Sequence, residues 1–296
     1  MQLSSHRSAY VLLVLTTLFW SGNFVLARAL HNSIPPVALS FWRWCIAGAI
    51  LAPFVWPRFK SALPELRQIP GKLWLLTLTG VAGYNTLAYL GLQQTTATNA
   101  GLLNAFIPIL ILLFGAIAFK HRLGWLAIAG ITVSLLGVMM IVSKGDVNHL
   151  LNVRLNMGDG WVILAGVAWA IYTLTLRHIP PTLDRMALLL ATILLGCAVL
   201  LPFYLLEYMH AAHIAGNLAN LAGLAYVGTF PSIIAYLFYT LAVSRLGAPK
   251  AGQFIHLMPV FVPLLSILFL GEQFHPYHLA GILAIFAGIA ITSRAH

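Results

Sequence analysis

Residues 100–119 read AGLLNAFIPILILLFGAIAF, twenty positions without a charged side chain. A helix of that length rises about 30 Å, the thickness of a bilayer's hydrocarbon core. The opening of the stretch returns later: AGLLNAFIP at 100–108 is echoed by AGQFIHLMP at 251–259, so Ala100–Gly101 pairs with Ala251–Gly252 and Pro108 with Pro259 at an offset of 151 residues. The same offset pairs Gly130 with Gly281 and Gly137 with Gly288. One shared proline would carry little weight. Four pairs at a fixed spacing describe a duplicated unit.

The rest of the chain has the same solvent preference. Of its 296 residues 60% are apolar and 7% charged, with six acids against sixteen bases. Soluble domains carry roughly 25% charged residues, so this apolar surplus faces lipid. Ten runs approach spanning length: 9–30, 36–56, 73–92, 100–119, 123–142, 161–176, 186–206, 218–243, 248–270 and 277–292. They lack the strict alternation of barrel strands, and lipid leaves open strand edges unsatisfied, so they are expected as helices. The first run carries Trp20, Asn23 and Arg28 and reads as a span, not a cleaved signal. Cys45 and Cys197 lie inside apolar runs and read as small buried thiols.

Ten crossings put both termini on one side. The tails and even-numbered connections hold twelve basic residues, the odd connections only Lys144 and Arg154, and Arg28 and Arg43 fall within spans. By the positive-inside bias both termini are cytoplasmic. The net charge of +10 is then topology and attraction to anionic lipid, with no nucleic acid required. The halves match elsewhere too. Trp20 and Arg28 recur as Trp169 and Arg177, Pro35–Pro36 as Pro180–Pro181, and Ala88–Tyr89–Leu90 as Ala235–Tyr236–Leu237. Each half has five crossings, an odd number, so the second enters from the opposite face. The expected fold is an all-α membrane protein of ten transmembrane helices, built as two inverted five-helix repeats over residues 1–144 and 145–296. That architecture belongs with alternating access and a site near the midplane.

Several local motifs also resemble one family. Trp20-Ser21-Gly22-Asn23-Phe24-Val25 followed by Phe41-Trp42-Arg43 through Ala47 is similar to the opening of the EamA-type drug/metabolite transporters. Gly158-Asp159 through Trp169-Ala170-Ile171-Tyr172 resembles the opening of that family's second repeat, and Leu246-Gly247-Ala248, Pro259 and Leu270-Gly271-Glu272 its closing hairpin. Phe119-Lys120-His121 departs from the pattern, standing where the first repeat often has LGE. The resemblance implies a bacterial ten-helix exporter in the cell (inner) membrane.

No HExxH, GxSxG, P-loop or metal-ligand spacing is present, and no cofactor is implied. All six acids lie in connections or near helix ends, Asp159 being expected as a helix N-cap. What remains at depth is polar and mostly uncharged. Asn85 and Tyr89 share a stripe in the third span, answered by Tyr236 in the eighth. Trp20 and Asn23 are matched by Trp169 and Tyr172. With Asn104, Gln253 and His256 these form the expected substrate-binding set. Each alone could equally hydrogen-bond a neighbouring helix, whereas the convergence of repeat-related stripes favours a cavity for small, partly apolar ligands. His256 is the one mid-membrane imidazole, a proton carrier or a neutral structural residue. Arg43 must snorkel or face the bundle. A structural or gating role is expected for it, direct contact with an anionic ligand group being the other reading. Pro108 and Pro259 are expected as kinks that can also serve as hinges.

The expected function is secondary export of small metabolites, amino acids or related amphipathic compounds, by alternating access. Multidrug efflux and uncoupled facilitation are the alternatives, and a membrane-embedded enzyme or receptor is remote. Protons are a candidate co-substrate, lipid a partner, and monomer or homodimer is open.

Overall fold

The computed structural model describes residues 6–30, 32–95, 100, 103–119, 124–146, 148, 156–210, 214, 216–270 and 275–294, without the side chains at 6, 7, 28, 119, 263 and 266–270. Lys120, His121, Arg122, Arg154, Gly271, Glu272 and the side chain of Arg28 thus lie outside the described residues. Every described element is helical. In chain order they are α1 (His6–Leu30), α2 (Pro36–Leu66), α3 (Pro70–Leu76), α4 (Tyr84–Gln94), α5 (Ile107–Phe119), α6 (Trp125–Val142), α7 (Met157–Arg177), α8 (Arg185–His210), α9 (Leu218–Thr229), α10 (Ala235–Leu246), α11 (Ala248–Gln253), α12 (Met258–Leu270) and α13 (Pro276–Ser293). A π-helical segment, Thr77–Gly83, joins α3 to α4, and a second, Phe230–Ile234, joins α9 to α10.

Seven helical stretches among the described residues are long and apolar enough to cross a membrane: Ser8–Ala27, Pro36–Leu66, Trp125–Val142, Met157–Arg177, Arg185–His210, Leu218–Leu246 and Pro276–Ser293. Their outward faces suit lipid, with Phe54 79%, Trp125 74% and Leu283 61% exposed. The other three expected spans are helical but interrupted. Residues 73–92 are divided by the π segment and diluted by Asn85, Tyr89 and Thr77. Residues 100–119 turn at Ala105–Phe106 before α5 begins. Residues 248–270 break at a 3₁₀ turn, Phe254–Leu257, between α11 and α12.

These breaks correct the expectation for the two prolines. Pro108 and Pro259 do not bend a continuous helix; each is the second residue of a fresh one, α5 and α12. Proline lacks the N–H that a first-turn residue has no intrahelical use for, so a start is where it costs least. Asp159 is also corrected. The N-cap of α7 is Asn156, whose side chain accepts from Asp159 N–H at 3.1 Å, while Asp159 Oδ2 accepts from Asn156 N–H at 2.8 Å. The carboxylate closes this capping box from the first turn and also accepts from the Thr95 hydroxyl.

Contacts between the halves come in matched sets. Helix α1 packs on α10 and α4 on α7, and α7 meets α5 as α1 meets α12. Between them α2 lies along α8, and α6 along α13. The last pair approaches backbone to backbone. A Cβ built on Gly130 would stand 2.6 Å from the Gly288 carbonyl oxygen, and one on Gly137 2.6 Å from that of Gly281. Those contacts run in opposite order along the two helices, so α6 and α13 are antiparallel.

Candidate functional site

Trp20 on α1 and Trp169 on α7 meet edge to face, ring centroids 4.9 Å apart. Tyr239 on α10 lies 5.2 Å from the first ring and 5.3 Å from the second. Tyr236, one turn earlier, meets Trp44 at 5.1 Å and Trp169 at 5.6 Å. Tyr172 and Tyr84 close the group at 4.9 and 4.7 Å from Trp169. Helical spacing explains the convergence. Residues three or four apart share a face, so Trp169–Tyr172 and Tyr236–Tyr239 each aim two rings at one place. Edge-to-face pairs of this kind contribute about 0.5–1.5 kcal/mol beyond the area they bury.

The π-helical segments supply the acceptors that hold these rings. A widened turn leaves carbonyls without their regular helical partners, a feature frequent at functional sites. The Trp20 indole N–H donates to the Pro231 carbonyl at 3.2 Å, and that of Trp44 to Val81 at 2.8 Å. The Tyr236 hydroxyl donates to the Gly80 carbonyl at 2.7 Å. Gly80 lies against the Tyr172 ring with no room for a side chain between them.

Beside the rings is a polar cluster centred on Arg43, which is fully buried. The guanidinium does not snorkel; it faces the bundle. Its Nε–H donates to Ser232 Oγ at 2.8 Å, and Nη1 donates to Asn85 Oδ1 at 2.7 Å and the Tyr89 hydroxyl at 2.6 Å. Asn23 Oδ1 is a longer acceptor for Nη1 at 3.5 Å and takes the Tyr89 hydroxyl proton at 2.8 Å. Asn85 Nδ2 donates to the Tyr236 hydroxyl at 3.0 Å, which ties the cluster to the rings. The guanidinium carbon also stands 5.0 Å from the Trp44 ring centroid.

The structure thus brings seven expected binding residues, Trp20, Asn23, Asn85, Tyr89, Trp169, Tyr172 and Tyr236, to one place with Arg43. It takes His256 elsewhere. Buried, His256 bonds through Nδ1 to Ser134 Oγ at 2.6 Å and through Nε2 to the Ala105 carbonyl at 2.8 Å. Asn104 and Gln253 are buried, and neither Asn104 Oδ1 nor Gln253 Nε2 has a hydrogen-bond partner among the described residues. Trp44 and Tyr84 were absent from the expected set. Each is flanked by residues of another face, and their spacing alone does not mark them. A cavity of about 750 Å³ opens between α2, α8 and α9, walled by Trp42, Ile46, Tyr204, Glu207 and Leu224. Ile46 is one turn from Arg43. The Glu207 carboxylate accepts from the Val37 and Ala38 N–H groups at 3.0 and 2.6 Å and so caps the start of α2.

Comparison with known proteins agrees with this architecture. The pattern of the EamA-like transporter family matches twice, at residues 7–143 and 156–294. An uncharacterised transporter of Archaeoglobus fulgidus is 28% identical over 97% of this chain and 98% of its own. A Streptantibioticus cattleyicolor protein named "probable terminal-alkyne amino-acid exporter" is 27% identical over 95% of this chain and 92% of its own. A solved crystal structure at 20% identity superposes with a TM-score of 0.78, covering 97% of this chain and 96% of that one. With both copies of the family pattern present, the chain is a multi-span membrane protein of the EamA-like transporter family.

Proposed function

We propose that this chain is a secondary exporter of small metabolites, amino acids or related amphipathic compounds, working by alternating access. The carrying observation is the single buried focus of aromatic and amide side chains, to which α1, α4, α7 and α10 contribute. These four stretches are the repeat-related ones, the first two from one half and the last two from the other. The antiparallel glycine contacts of α6 and α13 support a second repeat inverted relative to the first: Gly130 meets Gly288 while its own equivalent, Gly281, meets Gly137. The amino-acid class draws support from the name of the Streptantibioticus relative. In this reading ten crossings place both termini in the cytoplasm of a cell whose inner membrane holds the protein.

Downhill exchange fits better than proton coupling. His256 has no carboxylate partner among the described residues, and a charged imidazole buried there would be costly. The test is counterflow in proteoliposomes against a labelled amino-acid and drug panel, with pH varied on each side. Saturable, trans-stimulated movement of an amino acid or related metabolite is the expected result. Movement of cationic drugs alone would replace the metabolite reading with multidrug efflux, and a silent panel would overturn export.

A further inference from the structure

Arg43 carries a charge that nothing described around it neutralises. Its bonded partners are Ser232, Asn85, Tyr89 and Asn23, all of them neutral oxygen acceptors. These bonds run from Nε and Nη1, and none of them brings a negative charge to the guanidinium. Glu207 is the acid on the helix packed against α2, and it is committed to the N–H groups of Val37 and Ala38, about 8 Å back along the axis from Arg43. A buried histidine avoids such a situation by giving up its proton. Arginine keeps its charge at any biological pH.

An unpaired buried cation costs several kcal/mol, so a chain that holds one in place needs a compensating role for it. The neighbours define that role. Ser232 holds the guanidinium at Nε while Asn85, Tyr89 and the more distant Asn23 hold it at Nη1, which fixes its orientation. Trp44 lies against it, and Tyr236 and Trp169 continue the apolar surface from there. A guanidinium with no counter-charge among the described residues, set beside an aromatic wall, matches a ligand with a carboxylate at one end and an apolar body at the other.

We infer that Arg43 is the carboxylate anchor of the transport site, so that its substrates are small organic acids and zwitterions with an apolar side group. This rests on the exporter reading and narrows its substrate class. The ligand supplies the missing negative charge. Occupation of the cluster by a neutral or cationic compound would leave the charge uncompensated, so amines and amides of the same shape are discriminated against. The matching stretch of the second half, α8, contains no arginine among its buried residues, so the anchor belongs to one half of the site only.

The experiment uses purified full-length protein in proteoliposomes and acid/amide probe pairs: leucine with leucinamide, phenylalanine with phenylalaninamide, and 4-phenylbutyrate with its amide. Each is assayed for counterflow, alongside a labelled cationic drug, in the wild type, Arg43→Lys and Arg43→Gln. The wild type is expected to prefer acids over amides by about 10- to 100-fold, the range of a charge-assisted hydrogen bond. Arg43→Lys should keep part of that preference and Arg43→Gln should abolish it. Should Arg43→Gln fail to fold, the acid/amide ratio of the wild type still decides. Amides moving as well as acids, or Arg43→Gln keeping the full preference, would overturn the anchor while leaving the exporter standing. Drug movement without acid movement would have the same force. Silence from every probe in a monodisperse preparation would overturn the exporter reading and the anchor with it.

Discussion

Arg43 shows how much of a membrane site a single residue can organise. Asn85 accepts from its guanidinium and donates to Tyr236, so truncation breaks two buried bonds at once. Asn85→Ala is expected to destabilise the protein by about 1.5–3 kcal/mol, seen as a lower melting temperature in detergent. Tyr89→Phe, which removes one acceptor of Arg43 and the donor to Asn23, should cost less than Asn85→Ala. An unchanged melting temperature for Asn85→Ala would show that the cluster is already open to water. At His256, replacement by leucine leaves the Ala105 carbonyl and the Ser134 hydroxyl without the ring, with an expected loss of about 1–3 kcal/mol. His256→Gln keeps hydrogen-bonding capacity and should retain downhill exchange. If the wild type responds to a pH gradient, loss of that response in His256→Gln assigns it to this ring, and full retention removes the ring from coupling. The sequence exposed the polar stripes of Asn85, Tyr89 and Tyr236 because helical spacing is visible in one dimension. It did not expose Trp44, whose part depends on the π segment that frees the Val81 carbonyl.

At the scale of elements, glycine and the π segments set the geometry. Helices α6 and α13 pack at a distance that only glycine permits at four positions, since added Cβ atoms would press on carbonyl oxygens. Gly137→Val should therefore force the pair apart. The cost is expected at about 1–3 kcal/mol, read as reduced monodisperse yield and a lower melting temperature. Gly71→Val, at a position with open space, is the control expected to match the wild type. The aromatic focus makes its own demand: Trp20→Ala and Trp169→Ala should impair transport while membrane levels stay near normal. Normal transport by both would separate the rings from the pathway. Apolar length was readable for most helices. Interruptions were not, because Gly80 and Gly83 in Thr77–Gly83 and Pro231 in Phe230–Ile234 mark weak points in a helix without saying that the turn widens there. Pro108 and Pro259 were readable as disturbances but not as helix starts, since a proline's position within an apolar run does not say where the preceding turn ends.

For the whole molecule, orientation is the property most open to a direct check. In the proposed orientation the end of the bundle that carries Arg58, Lys60, Arg67, Lys72, Arg177, Arg185, Arg245 and Lys250 faces the cytoplasm. Cys45 and Cys197, whose sulfurs lie 3.8 Å apart between α2 and α8, must first be replaced to give a thiol-free background. Single cysteines at Thr182 and Ser293 should then react with an impermeant reagent only from the inner side, and one at Asn217 only from the outer. Labelling at Ser293 from outside the cell would reverse the assignment. The basic bias at Arg58 and Arg185 was legible because the sequence displays charge counts, and the orientation drawn from it is what the labelling tests. The pairing of α1 with α10 and of α4 with α7 was not legible, as lipid-facing and partner-facing surfaces are equally apolar.

One of the buried bonds joins residues 151 positions apart, Ala105 with His256. That number is the spacing of the duplicated unit. Suppose the halves trade shapes when the site turns from one face of the membrane to the other. A bond between non-equivalent partners, such as Trp20 with Pro231, must then give way to its mirror counterpart. A bond between equivalents is carried onto itself and has no reason to break. That link would act as an axle, stationary while the surrounding helices swing, and a disulfide engineered at the paired positions 105/256 would leave turnover intact where one at 20/231 would stall it.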